Sequence, residues 1–240
     1  MSTRQPLTKE NFNECMKDLG KLYRKMYGKE FHAEIILIGG GAVLAGYGFR
    51  ELTYDVDAIL KLAPGIKEIA SNVADKYGLE RNWLNDDFTK TTSYTEKLVE
   101  KSQHYRQFSN VLNIRVVSAE YLVAMKLMSG REYKYDMSDV IGIIKEHNER
   151  SNPLDKSEIL KAFQELYGDS SAMPLVSQEL LNEAFEYNDL GLLYRKYREV
   201  EEQNKSLLTD FETKYPKAIN AENLTSILDG LKQKQQTRKA

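Results

Sequence analysis

Ile35-Ile36-Leu37-Ile38-Gly39-Gly40-Gly41, followed by Arg50-Glu51-Leu52-Thr53-Tyr54-Asp55-Val56-Asp57-Ala58-Ile59-Leu60, is the stretch on which the reading of this chain turns. A short apolar run ending in glycine has the pattern of a buried strand feeding a tight turn. The turn opens into Ala42-Val43-Leu44-Ala45, which reads as the start of a helix. Glycine there allows positive φ and close approach of a phosphate to main-chain N–H groups, and a helix N-terminus adds partial positive charge. Leu52 to Leu62 reads as a second strand. Alternation along it places Asp55 and Asp57 on one face and Tyr54, Val56 and Ala58 on the other. Aspartate is depleted in strands, so two of them inside an apolar run call for a chemical reason. Two adjacent carboxylates repel each other, and magnesium relieves this by binding one or two protein carboxylates together with phosphates and waters.

Simpler readings exist for each part. The three glycines suit an ordinary strand-to-helix turn, and the two aspartates suit a solvated strand face. The turn does not match a dinucleotide fingerprint, because Leu44 stands where the third glycine belongs, and no Gly-Lys-Ser/Thr follows to make a P-loop.

At 240 residues the chain is long enough for one large domain or two modest ones. The 34 Lys and Arg nearly balance the 36 Asp and Glu, so any contact with nucleic acid requires a local basic patch. Cys15 is the single cysteine, which excludes an intramolecular disulfide and a Cys-rich zinc site. Met1 to Pro6 lacks the apolar core of a signal peptide, and no stretch approaches the roughly 18 apolar residues of a membrane span. A soluble cytoplasmic protein is expected.

From Thr8 to about Gly28, Phe12, Met16, Leu19, Leu22, Tyr23 and Met26 have helical spacing, with Thr8 as a candidate cap. Lys17, Lys21, Arg24 and Lys25 form its solvated face. Gly65 to Gly78 reads as a helix, Trp83 to Asp87 as a loop or turn, and Val111 to Val117 as a strand. Ser118 caps a helix through Leu122, Ala124, Met125 and Leu127 that Gly130 ends. Lys126 sits inside that apolar stretch, where it either snorkels along its stem or meets a phosphate. Val140, Ile143, Ile144 and His147 mark another helix, with Asp136 suited to N-cap it and Asp139 to its first turn. Capping alone accounts for both aspartates. His32, His104 and His147 have no metal-ligand spacing and read as packing or surface residues.

Four elements in order carry a resemblance: Gly39-Gly40; Arg50 with Thr53, Asp55 and Asp57; Ala124-Met125-Lys126-Leu127 with Arg131; and Lys134, Asp136 and Asp139. Over about residues 8 to 150 the chain resembles the AbiEii-like nucleotidyltransferases and the related DUF6036 proteins. That resemblance implies a polymerase-β-type core, with Asp55 and Asp57 as ligands of Mg2+. Gly39, Gly40 and Gly41 would seat a nucleoside triphosphate, with Arg50, Thr53, Lys126 and Arg131 around it, and Asp136 or Asp139 would complete the site. An acceptor hydroxyl would attack the α-phosphate. The candidate acceptor is tRNA or another RNA, as in the toxins it resembles, and an antitoxin-like protein is a candidate partner. The chain departs from polymerase-type members at the later strand, where a third carboxylate is usual and only Asn113 and Arg115 are available.

Beyond Asn152-Pro153 strand signals vanish and charged amphipathic helices follow, with stripes at Leu160, Phe163 and Leu166, at Leu180, Leu181 and Phe185, at Leu192, Leu193, Tyr194 and Tyr197, and from Leu224 to Leu231. Arg195, Lys196 and Arg198 read as a solvated face or a contact for an acceptor or partner. Lys232 to Ala240 reads as a frayed tail. The expected architecture is α+β: a small mixed sheet flanked by helices over 1–150, and a helical domain or extension over 151–240. Three functions fit: a metal-dependent nucleotidyltransferase, an inactive nucleotide- or partner-binding module of the same fold, or an interaction protein whose carboxylates are caps and surface charges.

Overall fold

The computed structural model describes residues 4–220 and 223–239. The expected α+β architecture is present: a five-stranded mixed sheet, a two-stranded ribbon and ten α-helices among the described residues. In chain order the elements are β1 (Leu7–Thr8), α1 (Lys9–Tyr27), β2 (Ala33–Leu37), α2 (Gly39–Gly46), β3 (Leu52–Thr53), β4 (Val56–Lys61), α3 (Ile66–Tyr77), β5 (Leu84–Asn85), α4 (Lys97–Glu100), β6 (Ser102–Phe108) and β7 (Leu112–Val117). Helices then follow: α5 (Ala119–Ser129), α6 (Asp136–Glu149), α7 (Lys156–Tyr167), α8 (Leu175–Glu186), α9 (Leu190–Lys214) and α10 (Leu224–Lys239). The main sheet has the order β5-β4-β2-β7-β6. β2 runs antiparallel to β4 and parallel to β7, which places the glycine turn after β2 beside the start of β4.

Local chemistry explains the boundaries. Thr8 and Asn11 form a reciprocal capping box that starts α1, and Phe12, Cys15, Met16, Leu19 and Tyr23 bury its apolar stripe. Gly130, in the left-handed region at φ 56°, ends α5 as expected. Trp83 is fully buried, and its indole Nε1 donates to the Ala70 carbonyl at 2.8 Å.

Four expectations need correction. The strand read over Leu52 to Leu62 is two strands: β3 pairs with β1, and β4 begins only at Val56. Thr53 Oγ1 donates to the Asp55 carbonyl at 3.0 Å, a local turn that breaks the ladder between them. Asp55 therefore stands just before β4, Asp57 within it, and Tyr54 is 52% exposed instead of packed beside Val56 and Ala58. Leu62, at φ 47°, lies beyond the strand. The stretch read as a loop at Trp83 to Asp87 contains β5, which pairs in parallel with β4 through Val56–Leu84 and Asp57–Asn85. Asp136 is the first residue of α6 and not its cap, a place taken by Tyr135, which lends no side-chain hydrogen bond. The tail expected to fray from Lys232 continues α10 to Lys239; Ala240, like Met1 to Thr3, lies outside the described residues.

The segment after Asn152-Pro153 is helical, and it packs directly on the rest: α7 against α5, and α9 against α6. One hydrophobic cluster runs from Ile35, Leu37 and Ile114 of the sheet through Val123 and Ile144 to Phe163, Leu180 and Leu193.

Candidate active site

The end of β2, the start of β4, the C-terminal half of α5 and the segment leading into α6 meet at one cleft of about 1240 Å³. Gly39, Gly40, Arg50, Thr53, Asp55, Asp57, Lys126, Arg131, Asp136 and Asp139 all line it. Gly41, the remaining nominated residue, is buried against β4, where a Cβ would fall 2.8 Å from Val56 Cγ1.

The glycine turn is shaped by what surrounds it. Gly39 has φ 53°, and a side chain there would meet Asp57 Oδ2 at 3.2 Å. A Cβ on Gly40 would fall 2.9 Å from an Arg50 guanidinium nitrogen and 3.3 Å from Thr53 Oγ1. With no side chain at Gly40, the main chain sits close to both groups. α2 starts at this turn with no side-chain cap, so its first N–H groups carry the unsatisfied donors and partial positive charge of a helix N-terminus.

Below the turn lies a chain of buried ions. Lys126 is only 3% exposed, and its Nζ meets Asp139 Oδ2 at 2.8 Å and Asp136 Oδ1 at 3.1 Å. Arg50 NH1 reaches Asp139 Oδ2 at 2.7 Å from the β3 side, and Arg131 Nε reaches Asp136 Oδ2 at 2.7 Å from the other. Three cations therefore face two carboxylates, leaving a fixed positive charge at the cleft floor. Burial alone would neutralise these groups. For Asp136 the cost of burial is outweighed by Lys126 and Arg131, which hold its carboxyl well below the usual carboxylate range. For Lys126 burial pulls downward, but Asp139 and Asp136 prevail and raise it, so the ammonium persists. Asp136 and Asp139 are thus occupied in orienting Lys126.

Asp55 and Asp57 differ. Neither carboxylate has a hydrogen bond or ion pair to a side chain among the described residues. Burial, then the charge of Asp55, push the Asp57 carboxyl upward, against weaker pull from Lys134, Arg131 and Lys126. This is a donor pair short of positive charge, which suits a divalent cation. No group of three or more His, Cys, Asp or Glu able to hold a metal occurs among the described residues. Two carboxylates match magnesium that takes its other ligands from phosphate and water. The later strand adds nothing: Asn113 donates to Glu34 at 3.0 Å, Arg115 donates to the Ser102 carbonyl at 2.6 Å, and neither lines the cleft.

The far wall was not legible in the sequence: Lys205, Leu208, Thr209, Glu212 and Thr213 of α9 line the cleft, as do Tyr133 and Tyr135, beside Lys134 of the motif. Arg198 stacks on Tyr135 with its guanidinium carbon 3.3 Å from the ring centre and bonds Glu202, and Lys196 bonds Glu183, so these two cations of the expected contact face are engaged within the chain. A signal for α9 was present: Leu193, Tyr197, Glu201, Asn204 and Leu208 share one helical stripe, so two polar residues lie where apolar ones are expected. The histidines stand apart from the cleft; His147 bridges Tyr47 and the Asn152 carbonyl, and His104 meets Asn113.

A family model described as a nucleotidyltransferase of unknown function, DUF6036, matches residues 14–205. That span contains every nominated site residue and extends through the first part of α9. No curated protein and no solved structure matches the chain.

Proposed function

Because the chain belongs to the DUF6036 family of nucleotidyltransferases of unknown function, we propose that it moves a nucleoside monophosphate from a nucleoside triphosphate to an acceptor hydroxyl, with Mg2+. The observation that carries this reading is the pairing, in one cleft, of two carboxylates that no side chain bonds among the described residues with an ion-paired lysine beneath a glycine turn.

The acceptor hydroxyl gives up its proton to solvent as its oxygen attacks the α-phosphorus, the bond from that phosphorus to the bridging oxygen breaks, and pyrophosphate leaves with the electron pair. In such transfers a protein contributes mainly position and charge. Gly39 and Gly40 present main-chain N–H groups to the triphosphate, and Thr53 flanks them. Asp55 and Asp57 would hold Mg2+, which when bound neutralises charge on the transferring phosphate and the leaving group. Lys126 supplies a fixed positive charge, kept in place by Asp136 and Asp139, while Arg50 and Arg131 hold those aspartates. The acceptor we favour is RNA, with tRNA as the first to test. An antitoxin-like protein is the candidate partner. No helix among the described residues is long and apolar enough to cross a membrane.

The test is label transfer from each α-labelled nucleoside triphosphate, with magnesium, to total RNA and to protein, comparing wild type with Asp57→Ala. Label in one acceptor class that disappears in the variant supports the reading. Triphosphate binding without transfer to any acceptor overturns it in favour of a binding module, a reading for which the missing third strand carboxylate speaks.

A further inference from the structure

α6 begins without a cap of its own. Tyr135 offers no side-chain hydrogen bond, yet the first residues of this helix, Asp136 and Asp139, must hold Lys126 in a fixed place. The missing acceptor comes from α9. Glu201 is 1% exposed, and its Oε1 accepts from the Met137 N–H at 2.7 Å and the Ser138 N–H at 3.3 Å. Its Oε2 accepts from the Ser138 hydroxyl at 2.5 Å. One turn on, Asn204 Nδ2 donates to the Glu132 carbonyl at 2.8 Å, tying the segment before α6 to the same helix. A carboxyl group brought from a separate helix onto the second and third N–H groups of α6 satisfies orphan donors at that helix start. It does so between the two aspartates that grip the lysine.

We propose that Glu201 is a positioning residue of this site: from α9 it sets the N-terminus of α6, and through Asp136 and Asp139 it sets Lys126. The C-terminal helices are then part of the machinery and not an appendage. The catalytic consequence rests on the nucleotidyltransfer reading; the structural consequence does not.

The test uses the full chain with 15N-labelled lysine, the Lys126 ammonium signal being assigned by its loss in Lys126→Met. Glu201→Ala is expected to move that signal and to lower kcat by about tenfold to a hundredfold, as misplacement by about 1 Å does. KM for the triphosphate is expected to change little, and Glu201→Gln, which keeps the acceptor oxygen for Met137, to restore both. Ser138→Ala, a milder change, is expected to move the signal in the same direction and decides the matter if Glu201→Ala does not fold. An unmoved Lys126 signal in a folded variant overturns the proposal. Absence of transfer in the wild type overturns the nucleotidyltransfer reading instead, while the Lys126 signal still decides the role of Glu201.

Discussion

Lys126 illustrates how a residue in an apolar helix is kept charged: two aspartates and, behind them, two arginines complete its surroundings. Lys126→Met leaves Asp136 with Arg131 and Asp139 with Arg50, so it is expected to lower stability by only about 1–3 kcal/mol through the lost hydrogen bonds, read from urea unfolding. Asp57 stands in the opposite situation, raised by burial and by Asp55, with no side-chain hydrogen bond or ion pair among the described residues. Asp57→Asn is expected to leave the metal-free protein as stable or about 0.5–1 kcal/mol more stable while abolishing transfer, the usual relation between an active site and stability. A loss of stability would show that Asp57 is a structural residue. Glu201 gives the pH dependence. Burial first, with some repulsion from Asp139, pushes its carboxyl from 4.5 up to about 8, against the hydrogen bonds from Ser138 and Met137. The folded chain therefore holds a proton that the unfolded chain releases between these values. Stability from this group is complete below pH 4.5 and is lost as pH rises towards 8. Unfolding free energies of wild type and Glu201→Gln across that range are expected to diverge, with the variant losing less.

Elements with a clean period were legible from sequence, and those without were not. α1 and α5 announce themselves through caps, glycine stops and apolar spacing. β6 gives no such signal: it is the edge strand, and Gln103, His104, Arg106 and Gln107 are all exposed, so alternation is absent. The break between β3 and β4 escaped because it depends on one hydroxyl, Thr53, turning to a carbonyl two residues on. The aspartate pair, Lys126 and the glycine turn were visible as residue types in an order. Which carboxylates are occupied and which are free was not, since it depends on where Arg50 and Arg131 arrive in three dimensions. α9 shows the same limit: its stripe was readable, but the partner of Glu201 lies 63 residues away. At this scale the start of α9 can be tested alone. Asp189 caps it by accepting from the Leu192 N–H at 2.9 Å, and Asp189→Ala is expected to cost about 1 kcal/mol in thermal unfolding.

Across the whole molecule, the sheet brings the glycine turn and Asp57 together, α5 and α6 supply the ion chain, and α9 closes the far wall of the cleft. The match to the family reaches residue 205, which takes in Glu201 and Asn204 along with the sheet. The shared hydrophobic cluster and the cap given by α9 to α6 make the C-terminal helices a structural support for the cleft. Attack at the α-phosphorus is reported directly by its products. With magnesium, an acceptor RNA and a nucleoside triphosphate, wild-type protein is expected to release pyrophosphate in equal amount to the nucleotide joined to the acceptor, and a chelator or Asp57→Ala to stop both. Release of inorganic phosphate in place of pyrophosphate, or pyrophosphate release that survives Asp57→Ala, would show that this cleft does not carry out nucleotidyltransfer.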